Sequence, residues 1–78
     1  MSRTEIENKV INILKTITDE EIKIDSELLD DLSITSLDII LIVTNLEDEL
    51  KVKIANDEIS KLEIVSDIVD LIDRKLNK

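Results

Sequence analysis

The stretch Asp31-Leu32-Ser33-Ile34-Thr35-Ser36-Leu37-Asp38-Ile39-Ile40 decides how this chain folds. Before Thr35 no helical period can be read, and after it one begins. Thr35 followed by Asp38 reads as a capping box, in which each side chain accepts the other residue's backbone N–H. Thr35 is therefore the expected N-cap and Ser36 the first helical residue. From there Ile39, Val43, Leu46 and Leu50 share one face, with Ile42 beside them. Leu37, Leu41 and, at the border, Ile40 lie off that stripe. They widen the buried face, or they wait for a partner.

Upstream, residues 18 to 35 lack the helical period, although Ile22, Ile24, Leu28, Leu29, Leu32 and Ile34 punctuate them. So long a structureless connection is uncommon in a small domain, and its apolar residues predict that it packs across the core. One helical turn near Ser26 to Asp30 is expected. A strand over Glu21 to Asp25 is the competing reading, but it has no partner strand. Before the loop, Ile6, Val10, Ile13, Leu14 and Ile17 mark a helix at about residues 4 to 17. Either Thr4 with Glu7 or Ser2 with Glu5 can form its capping box.

Downstream, Lys51 to Ala55 reads as a connector. Asn56 can cap a short helix over about 57 to 62, with Asp57 and Glu58 favoured in its first turn by the macrodipole. Ser66 can cap a last helix running to about Leu76, striped by Ile68, Leu71, Ile72 and Leu76 and ending among Arg74, Lys75 and Lys78. The expected fold is all-α: a small four-helix bundle of three main helices and one short one, with a long loop between the first two. Residues 1 to 78 form a single domain, since 78 residues are too few for two cores.

Composition removes most chemistries. The chain has no Cys, His, Gly, Phe, Trp or Tyr. That excludes disulfides, a cysteine nucleophile, the commonest general base, glycine-rich phosphate loops and stacking platforms for single-stranded nucleic acid. A net charge of −9 opposes binding to a phosphate backbone. No Gly is present to make the sharp turn of an EF-hand, so no dedicated metal site is expected. No apolar run approaches the roughly 20 residues of a membrane span, and no secretory h-region is visible, so a cytoplasmic location is the default. No catalytic residues are expected.

The charge is unevenly placed. Between Ile24 and Leu50 stand Asp25, Glu27, Asp30, Asp31, Asp38, Glu47, Asp48 and Glu49, with no Lys or Arg among them. Solubility alone does not require this concentration, and a single-sign surface steers basic partners.

The opening stretch resembles the prosthetic-group attachment site of acyl and peptidyl carrier proteins, approximately D-L-G-x-D-S-L at the start of their second helix. Asp31, Leu32, Ser36 and Leu37 match. Leu46-Glu47-Asp48-Glu49-Leu50, followed by Val52 and Ile54, resembles the family's L-E-[ED]-x-F run and its next apolar pair. The resemblance extends over essentially the whole chain. Ser33 stands where the family has Gly, which predicts a cost or a different bend. Thr35 replaces an Asp, a change that preserves the N-cap. Leu41 stands where carriers of fatty-acid synthesis typically show an acid. Leu41 and Thr35 tilt the expectation toward a specialised pathway.

The resemblance implies a carrier, not an enzyme, that holds acyl or aminoacyl groups as thioesters on a phosphopantetheine arm attached to Ser36. Fatty acid, polyketide or related biosynthesis is the implied setting. The implied partners are a phosphopantetheinyl transferase and acyl-loading and acyl-processing enzymes with basic docking surfaces. Leu37, Asp38, Ile40, Leu41, Glu47 and Asp48 are the candidate contacts on a chain expected to be monomeric. The competing reading is an unmodified acidic helical docking domain, which would be indifferent to Ser36→Ala.

Overall fold

The computed structural model describes residues 1–77 and contains four helices: α1 Arg3–Lys15, α2 Ser36–Leu50, α3 Asn56–Ile59 and α4 Val65–Leu76. Of the two candidate caps of α1, Ser2 with Glu5 is the one formed. Ser2 Oγ accepts from Glu5 N at 3.2 Å and Glu5 Oε1 from Ser2 N at 3.1 Å. The helix stops at Lys15, two residues before the expected end. The Ile17 and Thr18 amides both turn onto the Leu14 carbonyl, and Thr16 Oγ1 donates to Ile13 O. The apolar stripe continues through this turn, which is why periodicity overran the helix.

The two later starts also differ from expectation. Asn56 is the first residue of α3, not its cap; Ala55 is the N-cap, because Glu58 Oε1 accepts from Ala55 N at 2.9 Å. The helix ends at Ile59, and residues 60 to 62 continue as tighter turns. Ser66 does not cap α4. The N-cap is Ile64, since Asp67 Oδ2 accepts from both Glu63 N and Ile64 N. The next two amides are satisfied across the fold: Val65 N donates to Ser26 O and Ser66 N to Ile24 O. The long loop thus caps the last helix with its own backbone.

That loop packs on the core through part of its apolar residues, while Ile24 and Leu29 stay exposed. Leu28, Leu32 and Ile34 are buried with Ile6, Val10 and Leu14 of α1, Ile39, Ile42, Val43 and Leu46 of α2, and Val65, Ile68, Val69, Leu71 and Ile72 of α4. Ile54 joins them from the α2–α3 connector, while Leu50 and Leu76 pack at the margin. A turn near Ser26 to Asp30 forms, with the Asp31 and Leu32 amides donating to Glu27 O. No strand occupies Glu21 to Asp25; the described residues contain one isolated antiparallel bridge, Glu27 with Ile64. α1 packs on α4 and α2, and α2 on α3. Among the described residues four ion pairs tie these helices together: Arg3 with Asp70 and with Asp73, Lys9 with Glu49 and Lys75 with Glu58. No helix among the described residues is long and apolar enough to cross a membrane.

Candidate functional site: the start of the second helix

Thr35 has extended backbone geometry, and its hydroxyl accepts from Asp38 N at 3.2 Å. Asp38 Oδ2 returns the bond from Thr35 N at 3.0 Å. This reciprocal box holds Ser36 as the first residue of α2, exposed to solvent. Ser36 and Leu37 are first-turn residues, so their N–H groups lack carbonyl partners within the helix. An anion at Ser36 would therefore meet free donors and the positive end of the helix dipole.

The approach to this point is a left-handed turn. Ser33 has φ 57°, flanked by Leu32 and Ile34, both buried. The sequence departs from Gly here, yet the chain still adopts the geometry that Gly favours. Burial on both sides offsets the cost of placing a side chain at positive φ. Lys51, with φ 60°, ends α2 in the same way.

Beside Ser36 lies an open groove of about 470 Å³ between α2, α3 and the loop. Leu29, Ile39, Ile40, Ile59 and Leu62 supply its apolar lining, and Asn56 and Ser60 its polar edge. Leu29 was expected to pack across the core with the rest of the loop, but it lies at the groove instead. The Leu28–Leu29 pair carried the signal: adjacent residues cannot both point inward from this turn. Leu28 is fully buried and Leu29 is 54% exposed.

The off-stripe residues of α2 are not part of a wider core. Leu37 is 73% exposed, Leu41 59% and Ile40 47%. Asp48 is exposed as well. Two of the candidate contact acids have work inside the fold. Asp38 closes the capping box, and Glu47 Oε2 accepts from Ile54 N at 2.9 Å, holding the α2–α3 connector. Their charge remains near the surface, but their carboxylates are committed.

Across the loop, Glu27 is held above the usual carboxylate range, first by its hydrogen bond to Asp30 and then by the nearby charges of Asp30, Asp31 and Glu63. Glu5 and Glu58 are held below it: Glu5 by the N–H and hydroxyl of Ser2, Glu58 by the Ala55 N–H and Lys75.

A helix-start serine, free amides behind it and an apolar groove alongside could receive an anionic group with an apolar extension. Comparison with known proteins agrees. Residues 5–72 match the family model described as the phosphopantetheine attachment site. The chain is 32% identical over 79 residues to the acyl carrier protein of Coprothermobacter proteolyticus, covering 97% of this chain and 96% of that one. It is 35% identical over 78 residues to the acyl carrier protein of Thermotoga maritima, covering 96% of each. The crystal structure of an acyl carrier protein from Thermotoga maritima superposes with a TM-score of 0.84 at 28% identity, over 99% of this chain and 93% of that one.

The chain belongs to the acyl carrier protein family. It is a carrier and not an enzyme, and its prosthetic group is covalently attached phosphopantetheine. When bound, that group supplies the thiol this cysteine-free chain lacks.

Proposed function

We propose that Ser36 bears the phosphopantetheine arm and that the chain presents acyl thioesters to partner enzymes of fatty acid or related biosynthesis. The observation that carries this is the exposed Ser36 hydroxyl at the capped start of α2. The attached phosphodiester is an anion, and the Ser36 and Leu37 amides with the helix dipole stabilise it. The groove lined by Leu29, Ile39 and Ile40 opens next to that point and suits an apolar chain. The phosphopantetheinyl transferase and the acyl-loading and acyl-processing enzymes dock with basic surfaces over Leu37, Ile40, Leu41 and Asp48, with Asp38 and Glu47 adding charge. The protein acts in the cytoplasm as a monomer, with residues 1–78 as one domain.

The test is intact mass after incubation with coenzyme A and a broad-specificity phosphopantetheinyl transferase. The wild type gains one phosphopantetheine, and Ser36→Ala, still helical, gains none. A mass gain in Ser36→Ala refutes the site. A folded wild type that gains nothing refutes the assignment and favours an unmodified docking domain.

A further inference from the structure

The groove beside Ser36 changes in polarity with depth. Ile39 is buried at its floor and Ile59 and Leu62 are half-buried, whereas Asn56 and Ser60 are exposed at its edge. Asn56 and Ser60 stand four residues apart, so they share one face of α3 and the turn that follows it. Neither is used as a helix cap. Glu58 fills that role for α3 through the Ala55 amide, and Lys75 holds Glu58 at 2.9 Å. Among the described residues no hydrogen bond engages the Asn56 carboxamide, so its N–H groups and its oxygen are both open to the groove. Ser60 Oγ donates its one proton to Asp57 O at 2.9 Å, which leaves it an acceptor.

Resting on the Ser36 assignment, we infer that this edge selects the class of cargo: the groove holds an acyl chain with a hydroxyl close to its thioester in preference to a plain alkyl chain, and Asn56 is the residue that discriminates. The tether sets the direction of entry. A chain joined through its thioester end to an arm on Ser36 enters tail first. Its apolar tail then reaches Ile39, Ile59 and Leu62, and its thioester end stays at the edge with Asn56 and Ser60. A hydroxyl there accepts from Asn56 Nδ2 while donating to Asn56 Oδ1 or Ser60 Oγ. A plain alkyl chain in the same place covers these groups and gives them nothing in exchange for their water. Sites that hydrogen-bond a substrate hydroxyl reject the analogue lacking it for this reason. The arm's own amides are common to every cargo and cannot discriminate between them.

The experiment loads wild type, Asn56→Ala and Asn56→Leu from coenzyme A thioesters with an octanoyl or a 3-hydroxyoctanoyl arm, and with the arm alone. Circular dichroism confirms that each variant is folded. Cleavage of each thioester by hydroxylamine is divided by the rate for the same thioester on coenzyme A, so intrinsic reactivity cancels. Amide NMR follows the Asn56 side chain. In wild type the hydroxylated chain is protected about 3- to 10-fold more than octanoyl, the effect of one net hydrogen bond. The Asn56 side-chain signals move further with the hydroxylated chain than with the arm alone. Both substitutions abolish the preference. Equal or better protection of octanoyl in wild type, an undiminished preference in either variant, or Asn56 signals moved as far by the arm alone overturns the inference. A wild type that gains no arm at Ser36 fails the site assignment. A loaded wild type that protects neither thioester fails the groove as the place for cargo. Both failures are thus distinguishable from a failure of the selectivity.

Discussion

Replacing Ser33 with glycine should stabilise this protein. Ser33 sits at φ 57°, where a side chain crowds the backbone at a cost of about 1 to 2 kcal/mol for an L-residue. Glycine removes that crowding but gives the unfolded chain more freedom, which returns about 0.4 to 1 kcal/mol. The midpoints leave a net gain of about 0.8 kcal/mol, or an increase in Tm of about 3 to 6 °C for a domain of this size. Leu32 and Ile34 keep the turn in place from both sides, so the folded geometry has no reason to change. Ser33→Val is the opposing control and should destabilise, because a β-branched residue tolerates this region least. Lys51→Gly should match Ser33→Gly, since Lys51 has φ 60° at the end of α2. Thermal and urea unfolding read all three. Transferase loading should be unchanged in Ser33→Gly, because the Thr35–Asp38 box, not Ser33, fixes the start of α2. A Tm for Ser33→Gly at or below wild type, or a Ser33→Val variant as stable as wild type, would refute the reasoning.

Three other outcomes are expected. Thr35→Ala removes the cap just before Ser36 and should cost about 1 kcal/mol in urea unfolding, whereas Thr35→Asp should retain most of the cap. Leu32→Ala opens a cavity where the loop meets the core and should cost about 2 to 5 kcal/mol, enough to populate unfolded chains measurably by circular dichroism. Glu27 has a folded pKa raised above the ordinary glutamate value, so its contribution to stability is full below that ordinary value and is lost as pH rises through the raised one. Glu27→Gln should therefore be more stable than wild type near neutral pH, with the difference shrinking in acid, as followed by Tm against pH. The asymmetry matters because Glu5 and Glu58, held low, act in the opposite direction and are unaffected by the substitution.

What could be read from sequence about this fold was whatever depends on neighbours along the chain. Thr35 and Asp38 lie within one helical turn, so their capping box, and Ser36 as the residue after it, follow from spacing alone. The core stripe of α2 is likewise a property of the helical period. That the long loop packs on the core was legible from its apolar residues, but not which of them, since Leu28, Leu32 and Ile34 are buried and Ile24 and Leu29 are exposed. The starts of α3 and α4 were not legible in this way. Asn56 and Ser66 are good caps by type, but Glu58 and Asp67 reach back to earlier amides, and Lys75 steadies Glu58 from another helix.

The acidic candidates divide along the same line. The sequence placed eight acids between Ile24 and Leu50, and local spacing identified Asp38 as a cap. Only the folded chain brings Glu47 to the Ile54 amide and leaves Asp48 free of such a bond. The sequence by itself determined the helical class, the acidic surface and the serine at the start of the second helix, because local hydrogen bonds and periodic burial act within a few residues. Tertiary structure decided that Leu37 and Leu41 face outward, that Leu29 and Ile59 meet beside Ser36, and that the loop's carbonyls cap α4. Those outcomes depend on which surfaces approach each other in space, and no single segment carries that information.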